Sequence, residues 1–222
     1  MKSKIIVIEG LDGSGKATQT ALLAQKLSDR GIKVRRLEYP DYDSPSSSLV
    51  KMYLGGEFGG KPEDVNAYAA SAFYAVDRAA GFLGDWKADY QSGTLFLCDR
   101  YCTSNIIYQM AKVSDNDRDA FIEWQADFEY DKLGLPRPDA VIYLDVSPDV
   151  SQKLMEKRYG GDQSKKDLHE SNLSFLLSCR KSALYAAEKC GWKIIDCCEN
   201  GDIKPIDKIS EEIEKAVSDI LC

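Results

Sequence analysis

Four branched aliphatic residues, Ile5–Ile8, run with only Glu9 between into Gly10-Leu-Asp-Gly-Ser-Gly-Lys16-Ala-Thr18, and no other stretch constrains the fold as tightly. The aliphatic run is too short to span a membrane and has no period-two alternation, so it predicts a strand buried on both faces of a parallel sheet. Glycines after it let the backbone turn sharply, so that successive N–H groups converge on an anion. The spacing matches the pattern Gly-x4-Gly-Lys-[Ser/Thr] that cradles phosphates between a strand and a helix. Gly10, Gly13, Ser14 and Gly15 would form the cradle, and Lys16 would reach the β- and γ-phosphates. Ala17 and Thr18 open a helix whose N-terminus faces the same anion. The Ser/Thr position holds Ala17, and the hydroxyl comes one residue later. The pattern implies a bound nucleoside triphosphate.

Five apolar runs predict strands: Ile5–Glu9, Lys33–Glu38, Thr94–Cys98, Ala140–Val146 and Trp192–Asp196. Helical patterns lie between them, at Lys16–Arg30, Pro62–Leu83, Asp115–Tyr130, Pro148–Arg158, Ser171–Cys190 and Pro205–Leu221. Ser44–Ser48 is expected as a short polar loop. Strands alternating with helices predict a three-layer α/β fold, a five-stranded parallel sheet with helices on both faces. Ligands in such folds sit at the carboxyl ends of the strands, where Gly10 and Asp99 fall. Residues 1–222 contain no linker composition and are expected to form one domain. The stretch Tyr159–Leu168, with Gly160, Gly161, Lys165 and Lys166, has no periodicity and is expected to be a mobile loop flanked by helices.

The net charge of −7 argues against a nucleic-acid polymer as partner, since backbone affinity needs concentrated Lys and Arg. The N-terminus has too few apolar residues for a signal peptide, and no membrane span is expected. Seven cysteines without a Cys-x-x-Cys pair fit neither a disulfide framework nor a zinc site, and predict a reduced, cytoplasmic protein.

Leu95-Phe-Leu-Cys-Asp99-Arg100 ends an apolar strand in a carboxylate. Beside a phosphate cradle, Asp99 is the candidate magnesium residue and Arg100 the candidate for neutralising charge on a transferred phosphoryl group. Asp99 paired on the surface with Arg100 is the ordinary alternative. Asp145 also ends an apolar run, but Ser147-Pro148 follows, which makes helix initiation its more ordinary role.

With these residues in view, the chain resembles the thymidylate kinases, P-loop kinases of the nucleoside monophosphate kinase group. The likeness runs through Glu9-Gly-Leu-Asp12-Gly-Ser-Gly-Lys16, Phe73-Tyr74-Ala-Val-Asp-Arg78, Asp99-Arg100-Tyr101-x-x-Ser104-Asn105-x-x-Tyr108-Gln109, and the turn Leu135-Pro136-x-Pro138-Asp139. The resemblance implies the P-loop fold and ATP-dependent phosphorylation of dTMP to dTDP, with Mg2+. By resemblance, Asp12 accepts a hydrogen bond from the acceptor 3′-hydroxyl and Tyr74 stacks on thymine. Arg78 then bonds a base carbonyl, Asn105 reads the imide edge, and Tyr108 packs below the sugar, with Ser104 in the same substrate-binding motif. Phe73 and the lone His169 keep packing roles. Arg158 matches the residue that packs on the donor adenine, and residues about 159–169 match the family's lid. A homodimer packed through helices is expected from the resemblance alone.

Three departures stand out. Gly13 stands where some relatives carry a P-loop arginine, which leaves Lys165 and Lys166 as candidate lid cations. Tyr42 occupies the position of an acceptor-phosphate arginine, so that contact passes to Arg100, Lys51 or Arg36. Ala17 removes a hydroxyl that usually touches magnesium. Two other readings remain open at this point: a P-loop kinase for another nucleoside or nucleoside monophosphate, and an ATP-binding switch without a small acceptor. The base-pocket residues separate them, because a switch has no use for Tyr74, Arg78, Asn105 and Tyr108.

Overall fold

The computed structural model describes residues 3–160, 162 and 167–221; the side chains of Arg158 and Asp219 also lie outside the description. The strands are β1 (Lys4–Gly10), β2 (Val34–Glu38), β3 (Leu95–Asp99), β4 (Ala140–Asp145) and β5 (Lys193–Asp196). They form one parallel sheet in the order β2-β3-β1-β4-β5. The helices are α1 (Lys16–Asp29), α2 (Ser48–Leu54), α3 (Ala67–Gly81), α4 (Lys87–Gln91), α5 (Thr103–Tyr108), α6 (Arg118–Ala126), α7 (Pro148–Tyr159), α8 (Leu173–Cys190) and α9 (Ile206–Leu221). A short hairpin of β6 (Cys198–Glu199) and β7 (Asp202–Ile203) precedes α9.

The continuous aliphatic strands follow from burial on both faces. Ile5, Val7, Phe96, Cys98, Val141 and Tyr143 pack on one side against residues of α5, α6 and α8. Ile6, Ile8, Leu95, Leu97, Ile142 and Leu144 pack on the other side against Leu23 and Leu27 of α1 and Ile209, Ile213 and Val217 of α9. Each fully buried Ile or Leu contributes about 1.5–3 kcal/mol, so these alternating strands carry much of the stability. With β1 central between β3 and β4, the connections from β1 and from β3 leave toward opposite edges of the sheet, and the loops after these two strands open a crevice between them.

The turn before β4 has a physical role: the Asp139 carboxylate accepts a hydrogen bond from the Ile5 N–H at 2.8 Å, tying the start of β1 to β4. Asp145 does not initiate a helix. Its carboxylate accepts two hydrogen bonds from Arg180 of α8, both 2.7 Å, while Ser147 occupies the position before Pro148. The long helix expected over Pro62–Leu83 is divided. A 3₁₀ turn at Pro62–Asp64 ends in extended Val65, Asn66 accepts from the Ala69 N–H at 2.9 Å to start α3, and a π-helical segment, Phe82–Trp86, follows α3. Part of the polar stretch 44–48 is also helical: Ser44 caps a 3₁₀ turn, Pro45–Ser47, that leads into α2. Among the described residues no helix is long and apolar enough to cross a membrane.

Candidate functional site

A single cavity of about 650 Å³ lies over the carboxyl ends of β1 and β3. Its phosphate end is the loop between β1 and α1. Gly15 has φ +83°, a left-handed conformation that suits glycine and lets α1 start abruptly. Lys16 is buried, and its Nζ donates to the Leu11 carbonyl at 2.8 Å, which folds the side chain back over the loop. Burial, aided by the nearby Arg100 charge, lowers its pKa to about 8 against the pull of Asp12, Asp99 and Glu9. An arriving phosphate supplies the counter-charge that this ammonium lacks. The Ser14 hydroxyl is buried without a hydrogen-bond partner among the described residues.

Asp99 ends β3 at 6% exposure and lines the cavity, and its carboxylate makes no hydrogen bond or ion pair among the described residues. Its neighbour Arg100 has φ +66°, rare for a residue with a Cβ, and this turns the guanidinium back toward the loop. Arg100 pairs with Asp12, donates to the Tyr108 hydroxyl at 3.2 Å and lies 5.1 Å from that ring's centre. Tyr108 Oη donates to the other Asp12 oxygen at 2.9 Å. Burial opposes the Asp12 charge, but Arg100 and Lys16 outweigh it and hold the carboxyl below its usual range. The turn itself is held by Glu9, fully buried, which accepts from the Tyr101 N–H and from the Thr103 and Ser104 hydroxyls at 3.3, 2.7 and 2.8 Å. Desolvation raises the Glu9 pKa, partly offset by Arg100 and by those hydroxyls.

To the same cavity wall α3 brings Tyr74 and Arg78, four residues apart on one face, and α5 brings Asn105 and Tyr108. Arg78 is 1% exposed and forks onto Glu129, with Nε and Nη2 donating to its two oxygens at 2.7 and 2.5 Å. Asn105 Nδ2 donates to the same carboxylate at 2.8 Å and to the Ser71 carbonyl at 3.2 Å. The third wall carries Tyr42, Asp167 and His169. His169 stacks on Tyr108, with centres 5.4 Å apart, and its Nε2 lies 2.9 Å from Tyr53 Oη; burial lowers its pKa to about 3, so the ring is neutral. Burial, with repulsion from Asp12, raises the Asp167 pKa to about 7.

A phosphate cradle and a cluster of hydrogen-bonding side chains thus share one crevice. A family model described as thymidylate kinase matches residues 8–207. A thymidylate kinase of Mycobacterium tuberculosis is 30% identical over 184 residues, covering 82% of this chain and 84% of that protein. The chain belongs to the thymidylate kinase family. A thymidylate kinase of Plasmodium falciparum is 27% identical over 217 residues, covering 96% of this chain and 94% of that one. A solved structure of thymidylate kinase from Candida albicans superposes with a TM-score of 0.69 at 22% identity, covering 99% of this chain and 92% of that one, a likeness of fold. As a thymidylate kinase family member the protein is a phosphotransferase with ATP as donor.

Within that family framework, Asp12, Gly13, Ser14, Gly15, Lys16, Ala17, Thr18, Tyr74, Arg78, Asp99, Arg100, Ser104, Asn105 and Tyr108 all line one cavity. Gly10 is not on its wall. It lies beneath the loop, where an added Cβ would collide with Ser14 Oγ and sit 2.9 Å from the Leu144 carbonyl, so its part is to let the loop settle on the sheet. Gly13 has φ +77°, and a Cβ there would come within 2.8 Å of the Ser151 carbonyl; α7 leaves no room for the arginine of some relatives. Asp99 is not paired with Arg100, whose ion pair is with Asp12. Lys51 and Arg36 are exposed and absent from the cavity wall, which leaves Arg100 as the acceptor-phosphate candidate. Gly161, Lys165, Lys166 and the Arg158 side chain lie outside the described residues.

Four participants escaped the sequence reading. Asp77 accepts from the Asp41 N–H at 2.8 Å and the Ser46 hydroxyl at 2.6 Å, which positions the loop bearing Tyr42. Glu9 appeared only as a motif letter. Asp167 had no pattern to mark it. Glu129 had a signal: it follows Gln125 by four residues inside an apolar stripe with Phe121 and Phe128, where a carboxylate needs a buried partner.

Proposed function

We propose that the protein transfers the γ-phosphoryl group of ATP to the 5′-phosphate of dTMP, giving dTDP and ADP. The observation that carries this reading is the shared cavity, whose wall includes both the Lys16 loop and the Arg78–Asn105 pair. Tyr74 is half-buried and offers a ring face for a pyrimidine. The Asp12–Arg100–Tyr108 cluster is a ready receptor: Arg100 turns to the acceptor phosphate, and Asp12 accepts the sugar 3′-hydroxyl in its place. Tyr108 beneath the sugar disfavours a 2′-hydroxyl.

An acceptor phosphate oxygen attacks the γ-phosphorus in line as the bond to the β-phosphate oxygen breaks, and no covalent enzyme intermediate is needed. Positioning and charge neutralisation by Lys16 and Arg100 supply the catalysis. Magnesium sites in such enzymes combine one or two carboxylates with phosphate oxygens and water. Asp99 fits, being a buried carboxylate at the cavity wall with no hydrogen bond or ion pair among the described residues. When bound there the ion would offset phosphate charge, and Ala17 means that no hydroxyl at that position assists.

One catalytic domain, with residues 159–169 acting as a lid and Arg158 packing on adenine, completes the proposal. Tyr159, Asp167 and His169 on the cavity wall support the lid. The family likeness supports a homodimer. The free cysteines Cys98, Cys102, Cys179, Cys190, Cys197 and Cys198 support a reducing, cytoplasmic setting. The test is a coupled assay with ATP against dTMP, dUMP, dCMP, AMP and GMP. We expect dTMP first, dUMP weaker through the lost methyl contact, and the others poor. A preference for dCMP or AMP would refute the acceptor assignment and leave the phosphotransferase fold intact.

A further inference from the structure

We infer that Glu129 is the residue that sets acceptor specificity, by fixing a donor on Arg78 and an acceptor on Asn105 side by side at the base end of the cavity. The inference rests on the dTMP reading and adds to it a residue that touches no substrate: Glu129 is fully buried and absent from the cavity wall.

The logic is one of donors and acceptors. The Asn105 amide faces Glu129 Oε1 at 2.8 Å and the Ser71 carbonyl at 3.2 Å. Both are acceptors, so the atom facing them must be the NH2. Both amide hydrogens are then used, and Oδ1, which has no hydrogen bond among the described residues, is left as an acceptor. Arg78 spends Nε and one Nη2 hydrogen on Glu129, and a guanidinium has five N–H donors and no acceptor. Its remaining donors have no hydrogen-bond partner among the described residues. The wall therefore offers donor beside acceptor. A thymine or uracil edge offers the complement, a 4-carbonyl beside an N3–H. Cytosine offers an amino group beside a bare nitrogen and is mismatched at both places. Without Glu129 the guanidinium loses both hydrogen bonds that fix its rotation, and the amide is oriented by the Ser71 carbonyl alone, the longer of its two contacts; an amide turned over would present the cytosine-matching donor. Gln125 Nε2 also donates to Oε1, holding the carboxylate in place.

The test is the ratio of kcat/KM for dTMP to that for dCMP in Glu129→Gln, measured with the ATP KM. In either orientation of the new amide, an N–H of Arg78 or Asn105 meets another donor. We expect the ratio to fall at least about tenfold, the scale of one lost discriminating hydrogen bond, while the ATP KM stays within about twofold. Glu129→Asp, which keeps two anionic oxygens, should recover part of the ratio. A folded Glu129→Gln protein with an unchanged ratio, or one whose dTMP, dCMP and ATP parameters fall together, overturns the inference. If Glu129→Gln does not fold, the unaltered protein decides: N3-methyl-dTMP lacks the N3–H, and binding as tight as that of dTMP overturns the orientation assigned to Asn105, whereas a loss of about tenfold or more upholds it. A wild-type preference for dCMP would instead refute the dTMP reading itself, a result separable from either variant.

Discussion

Replacing Arg78 by alanine should do two separable things. Arg78 and Glu129 are 1% and 0% exposed, and the fork between them is bidentate. Removing the guanidinium leaves a buried carboxylate with neutral donors, the Asn105 and Gln125 amides and the Cys102 thiol, and no cation paired with it among the described residues. Breaking a buried ion pair from one side costs about 3–5 kcal/mol. In a chain of this size that is a fall in Tm of roughly 6–20 °C, at about 2–4 °C per kcal/mol. The same change removes a charged donor from the base end, worth about 1.5–3 kcal/mol, or roughly ten- to a hundredfold in dTMP affinity. ATP affinity should hold, because the hydrogen bonds of Arg78 run to Glu129 and none among the described residues runs to the Lys16 loop proposed to hold ATP. Urea denaturation gives the first effect, and calorimetric titration with dTMP and with a non-hydrolysable ATP analogue gives the second. The double variant Arg78→Met with Glu129→Leu separates them: an apolar pair should regain part of the stability while dTMP binding stays weak. A stability loss under about 1 kcal/mol, or equal weakening of both nucleotides, would refute the reasoning.

The phosphate end yields further expectations. Lys16→Ala should lower kcat at least about a hundredfold with the fold intact, the scale for deleting one preorganised charged donor; near-normal turnover would remove Lys16 from the chemistry. Because the Lys16 pKa is lowered to about 8, the unfolded chain holds more protons between pH 8 and the ordinary lysine value near 10.5. Its burial therefore costs stability at neutral pH, and the cost fades as pH rises across that window. Phosphate binding needs the charged form, so kcat/KM for ATP should decline as pH rises through about 8, and a profile flat from pH 7 to 9.5 would argue against it. Arg158→Ala should weaken ATP more than dTMP; the reverse order in paired titrations would place the side chain away from adenine.

Much of the architecture was open to reading because it rests on local rules. A strand buried on both faces must carry aliphatic or aromatic side chains throughout, and Ile5–Ile8, Leu95–Leu97 and Val141–Leu144 do. Lys16 and Asp99 could be assigned for a similar reason: each sits at a fixed offset from the end of such a strand, so spacing alone brings them to one crevice. Helix boundaries were less open. The interruptions at Val65 and Phe82–Trp86 depend on what α3 packs against, and the helix within the Ser44-Pro-Ser-Ser-Ser48 region forms because Ser47 and Val50 find a buried surface there.

Side-chain pairing was the part that no pattern carried. By itself the sequence determined the sheet, the phosphate loop and which residue types reach the carboxyl ends of the strands, since strand burial and turn geometry are properties of contiguous residues. Only the tertiary structure decided that Arg100 pairs with Asp12 rather than Asp99, that Asp145 belongs to Arg180, and that one carboxylate, Glu129, holds both Arg78 and Asn105. Glu129 lies 51 residues from Arg78 and 24 from Asn105 along the chain. A buried charge must be neutralised by whatever the fold brings beside it, and that neighbour is fixed by the packing of α3, α5 and the π-helical segment Asp127–Lys132 after α6 rather than by spacing within any one of them.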